Sequence, residues 1–125
     1  MFLIDDEKTI HITRGDAALF HLTATIDNSE YEFRNGDIVR IKVFAKKNCD
    51  DVVLKKDIAV TEVTKEVEIA LDSNDTKIGN LISKPTDYWY EVELNPDTKP
   101  NTIIGYDENG AKVFKLYPEG GVANE

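Results

Sequence analysis

Residues 35–43 read Asn35-Gly36-Asp37-Ile38-Val39-Arg40-Ile41-Lys42-Val43. Val39, Ile41 and Val43 alternate with Arg40 and Lys42, so an extended chain sends three β-branched side chains to one face and two cations to the other. The Asn-Gly pair just upstream tolerates positive φ at both positions and is a strong hairpin signal. A period of two bounded by a tight turn predicts half-buried antiparallel sheet.

The same period continues in both directions. Upstream, Thr9 to Thr13 alternates, and Arg14-Gly15-Asp16 has turn composition. Ala18, Phe20, Leu22, Ala24 and Ile26 then share one face of a long strand, which Asp27-Asn28-Ser29-Glu30 breaks. Tyr31 and Phe33 lead into the Asn-Gly turn. Downstream, the polar loop around Cys49 is followed by Val52-Val53-Leu54, Ile58 and Val60, a strand with a bend or bulge. Val67, Ile69 and Leu71 form another. Tyr88, Tyr90, Val92 and Leu94 alternate with Trp89, Glu91 and Glu93. Segments 102–106 and 111–117 flank Asp107-Glu108-Asn109-Gly110 and read as a closing hairpin, with a loose tail over 118–125. One short helical turn is expected after an Asp75 or Thr76 cap, carrying Ile78, Leu81 and Ile82 and ending before Pro85. About eight strands, closely spaced turns and no linker predict a single all-β domain over residues 1–125, a β-sandwich or barrel. Its core is expected from Phe20, Leu22, Val39, Ile41, Val43, Ile69 and Val92.

Charge narrows the function. The chain of 125 residues carries 24 acidic and 15 basic side chains, a formal charge of −9. A field of this sign repels a phosphate backbone and an anionic membrane, so no nucleic-acid partner and no membrane insertion are expected. Cys49 stands alone, which excludes an intramolecular disulfide. Met1-Phe2-Leu3-Ile4 runs into Asp5-Asp6-Glu7 without a basic segment, so no signal peptide is read and folding in a cytoplasm is expected. No apolar run reaches the length of a membrane span.

Catalytic and metal chemistry lack their residues. If the first two strands pair about Gly15, His11 and His21 share a face, yet zinc asks for three or four ligands and no further Cys or His exists to supply them. Counting from Asp72, the sixth position of a calcium loop would need Gly and holds Lys77. Cys49 lies beside Asp50 and Asp51, whose charge disfavours a thiolate. No catalytic residue, metal or cofactor is therefore expected. Two binding readings are left. Strand 111–117 is unusually apolar for a C-terminal strand, which makes Phe114 or Tyr117 a candidate for a homo-oligomeric or partner interface. Tyr31, Trp89, Tyr106 and Tyr117 are the aromatics on which a sugar would stack if the domain were a carbohydrate-binding module for a bacterial cell-wall or host glycan.

The order of segments carries a resemblance. Ile12-Thr13-Arg14-Gly15-Asp16 opens a long strand, and Asn35-Gly36-Asp37 precedes another. Thr76 to Ile82 comes before Tyr88-Trp89-Tyr90-Glu91-Val92-Glu93-Leu94, and Thr102-Ile103-Ile104-Gly105 leads to Pro118-Glu119-Gly120. Over residues 9 to 120 this resembles the N-terminal domain of phage and prophage baseplate upper proteins. The resemblance implies an immunoglobulin-like antiparallel β-sandwich, located in the virion tail baseplate, that assembles with itself or with other phage tail proteins. It implies no enzymatic residues. Members usually continue into a coiled coil or receptor-binding module, so a chain ending at Glu125 is expected to be a small stand-alone tail protein or a prophage remnant.

Overall fold

The structure is a computed structural model and describes residues 1–119. It is all-β, with eleven strands among the described residues: β1 Phe2–Ile4, β2 Ile10–Thr13, β3 Ala18–Leu22, β4 Thr25–Ile26, β5 Ser29–Glu30, β6 Ile38–Lys46, β7 Asp50–Ala59, β8 Val67–Leu71, β9 Thr86–Leu94, β10 Asn101–Ile104 and β11 Lys112–Tyr117. Seven form one sheet in the order β1-β2-β11-β9-β6-β7, with β10 also on β9. β3 pairs with β8, and β4 with β5. All pairs are antiparallel except β2 with β11, which run parallel with Phe114 opposite Ile10.

One apolar cluster joins the large sheet to the β3–β8 pair. Ile10, Ile12, Val39, Ile41, Val43, Tyr90, Val92, Leu94, Phe114 and Leu116 come from the large sheet, and Ala18, Leu22, Val67, Ile69 and Leu71 from the small one. The alternation explains the membership, because every second side chain of a strand reaches the same face. Of the expected core, Phe20 is only partly buried, where it stacks on Phe2 at 5.7 Å between ring centroids.

Several local expectations are corrected. Residues 76–82 contain no helix. Thr76 turns inward, fully buried, donating from Oγ1 to the Asp16 carbonyl at 2.8 Å and accepting the Gly15 amide at 3.0 Å. Arg14 takes the carbonyls of Ile78 and Gly79 at 3.2 and 2.8 Å, and Gly79 sits at φ 64°. Carbonyls engaged by a guanidinium and a left-handed glycine leave no helical ladder to propagate. The Asn-Gly turn closes with the Asp37 amide on the Arg34 carbonyl at 3.1 Å, but only Gly36 has positive φ. It therefore is not the two-residue hairpin turn, and Phe33 bridges to Thr64 instead of folding back on β6. The long strand expected over 18–26 divides at Thr23–Ala24. Its second part folds back as the β4–β5 hairpin through Asp27 and Asn28, at φ 53° and 65°. β2 and β3 do not pair, so His11 and His21 lie in different sheets.

The closing hairpin is not one either. β10 and β11 do not pair with each other: both run antiparallel along β9, β10 beside Val92–Leu94 and β11 beside Thr86–Tyr90. They are one strand line interrupted by residues 105–111, which loop out opposite Glu91. Asp107 and Gly110 bridge within the excursion, and Lys112 holds Asp107 at 2.6 Å. The loose tail expected from Pro118 lies beyond the described residues from position 120; before it, Glu119 accepts a hydrogen bond from Arg14 at 2.8 Å.

Candidate functional site

The outer face of the large sheet carries what the core leaves over. Phe44, Trp89 and Val113 are lateral neighbours there, since Trp89 pairs with Phe44 on β6 and with Val113 on β11. Phe44 is only 3% exposed although it belongs to the face away from the core. Beside this apolar row stand charged ones. Lys42 lies 3.1 Å from Glu93 and 3.9 Å from Glu91. Arg40 meets Asp57 and Asp97.

The excursion 105–111 turns part of this face into an open cleft of about 510 Å³. Its floor includes Asp87, Trp89 and Val113, and the loop supplies Tyr106, Glu108 and Asn109. Lys47 enters from the β6–β7 turn. That turn closes with the Cys49 amide on the Lys46 carbonyl at 3.0 Å and needs φ 61° at Cys49. Tyr106 is 70% exposed, whereas Trp89 is half-buried. Two of the four candidate glycan aromatics thus line one cavity.

The other two lie elsewhere. Tyr31 belongs to a smaller pocket of about 310 Å³ with Arg34, Asn95 and Lys99, where its hydroxyl donates to Asp37 at 2.7 Å. Burial alone would raise the buried Asp37 carboxyl, but hydrogen bonds from Tyr31, Asn95 and the Arg34 amide more than offset it and hold the group below its usual range. Tyr117 is half-buried on β11, with its hydroxyl 2.8 Å from His11 Nδ1, while His11 Nε2 lies 2.9 Å from Asp5. Phe114 is fully buried in the core and presents nothing to a partner.

The acidic turn at 72–75 is satisfied within itself. Asp72 and Asp75 accept each other's amides at 2.9 Å, and Lys56 reaches Asp75 at 2.6 Å, so the acidic turn is closed by its own hydrogen bonds. Among the described residues no three His, Cys, Asp or Glu side chains gather as a cation site. Burial, and then the charge of Glu91, push the Cys49 thiol up, which disfavours its nucleophilic form. Burial and the neighbouring Glu93 likewise push Glu91 up. Arg14 of the Arg14-Gly15-Asp16 tripeptide is spent on Ile78, Gly79 and Glu119.

Sequence reading named Trp89 and Tyr106 but not their neighbours Lys47, Glu108 and Asn109. Only the looped-out register along β9 brings these together, and no local pattern encodes that register. Compared with known protein families, with curated proteins and with solved structures, the chain matches none.

Proposed function

We propose that the chain is a non-enzymatic structural and interaction protein of a phage or prophage tail baseplate, assembling with itself or with other tail proteins. The observation that carries this reading is the strand order. An immunoglobulin variable-type sandwich adds a C′ strand to its G-F-C sheet and keeps B and E on the opposite one. The run β11-β9-β6-β7 matches G-F-C-C′, and the pair β3–β8 matches B and E. That agreement supports the immunoglobulin-like sandwich implied by the order of segments along the sequence. The resemblance in turn supplies the tail location, with synthesis in a bacterial cytoplasm.

A domain of this kind works through its surfaces. Tyr117 is the residue proposed to contribute to an interface, since it sits half-buried on the outer face between β2 and β9. Solution mass by light scattering, alone and with the products of neighbouring genes, tests the proposal. The expected result is a defined oligomer or complex whose mass falls in Tyr117→Ser. A monomer that joins none of the neighbouring products overturns it.

A further inference from the structure

We infer that the cleft beneath the 105–111 excursion binds a neutral saccharide, with Trp89 and Tyr106 as its stacking surfaces. The inference does not depend on the assembly role. A pyranose ring needs an apolar aromatic face for its C–H surface, and donors and acceptors for its hydroxyls. The cleft offers both. Trp89 is held by the strand backbone between Phe44 and Val113. Tyr106 is largely solvent-exposed at the same cavity. Around them, the exposed Asp87 and Glu108 carboxylates accept, the Lys47 ammonium donates, and the Asn109 carboxamide does both. The volume of about 510 Å³ lies within the range of small-ligand pockets, roughly 300–1,000 Å³.

Charge selects the class of sugar. Asp107 and Asp87 are paired with Lys112 and Lys115 at 2.6 and 3.8 Å, which leaves Glu108 against Lys47, so the bias comes from the formal charge of −9 on the whole chain. Phosphate- or carboxylate-bearing glycans are repelled by such a field, whereas neutral or N-acetylated sugars are not. The excursion is braced from within. The Gly110 amide donates to the Asp107 carbonyl at 2.9 Å and the Asp107 amide to the Gly110 carbonyl at 3.2 Å. Lys112 then ties Asp107 at the far side. Tyr106 is carried on a braced loop.

Trp89 is the only tryptophan, so its emission reports this cleft alone. The experiment titrates the full chain with neutral tetrasaccharides (chitotetraose, cellotetraose and mannotetraose) and with a poly(glycerol phosphate) polymer, following that emission. One or more neutral sugars should produce a saturable shift. Tyr106→Ala should weaken that binding about tenfold, an effect of the size expected for one lost aromatic contact, with the melting temperature unchanged. Asn109→Ala should weaken it less. The inference is overturned if no neutral sugar saturates at millimolar concentration, if only the phosphate polymer binds, or if Tyr106→Ala binds as tightly as the parent. None of these outcomes bears on solution mass, so assembly and sugar binding stand or fall separately.

Discussion

Arg40 on β6 and Asp57 on β7 face each other through two hydrogen bonds, Nε to Oδ1 at 2.6 Å and Nη2 to Oδ2 at 3.0 Å. The same guanidinium takes Asp97 at 2.8 and 3.1 Å, so one buried cation joins the β6–β7 hairpin to the loop after β9. Hydrogen bonds from Arg40 hold both carboxyls below their usual range. Lysine cannot reproduce the fork. Arg40→Lys should cost about 1–2 kcal/mol, discounted because both carboxylates reach solvent. Urea unfolding checks it, and Asp97→Asn in the Arg40→Lys background should cost less than in the parent.

Thr76 sits where two turns meet. Thr76→Val keeps the shape of the side chain but strands the Gly15 amide and the Asp16 carbonyl, which its hydroxyl now serves. The expected loss is about 1–3 kcal/mol, read as a lower urea midpoint. Thr76→Ser should retain most of the stability.

Glu91 gives a pH signature. Its folded pKa is raised, first by burial and then by Glu93, so the charged form is the one the fold disfavours. Stability linked to this group is present below the unfolded carboxyl value and is lost as pH rises through the folded one. Glu91→Gln should therefore melt about 2 °C higher than the parent at pH 7. The gap should close near pH 4, and a variant that melts lower at pH 7 would contradict the assignment.

Asp37 has the opposite sign. Its folded pKa is depressed, so its contribution is complete above the unfolded value near 4 and is lost as pH falls through the folded one. Asp37→Asn should lower stability at pH 7 and flatten the decline below about pH 4 in acid titrations of unfolding.

Phe114 and Tyr117 separate core from surface on one strand. Phe114→Ala should cost about 3–5 kcal/mol, as a fully buried ring does. Tyr117→Ser removes a half-buried ring 5.8 Å from that of His11 together with its hydrogen bond, and should cost about 1–3 kcal/mol. Thermal melts of the two variants side by side distinguish the positions.

Alternation carried most of the fold. β2, β6, β8, β9 and β11 are visible as period-two runs because each has one face in the core. Period says which face is buried and nothing about which strand lies alongside. The parallel β2–β11 pair, the division of β3 from β4 and the 105–111 excursion were therefore hidden: each is a choice of neighbour or register. β1 was missed because three residues are too few to show a period, and its place depends on backbone pairing with Ile10 to Ile12. The expected helix failed for a tertiary reason, the demand of Arg14 for carbonyls more than sixty positions away in sequence. For the cleft, aromatic residues could be named one by one, but their grouping follows from the excursion.

The parallel pairing of β2 with β11 also sets the order of events at the ribosome. β2 is among the first strands synthesised and β11 among the last, about a hundred residues later, and contacts that distant are slow to form. Until β11 emerges, β2 is paired on one edge only, with β1, and Ile10 and Ile12 lack the Phe114 and Leu116 side chains that share their layer. A nascent chain halted before residue 112 should thus hold an incomplete sheet with an unpaired apolar edge, the kind of species that chaperones engage.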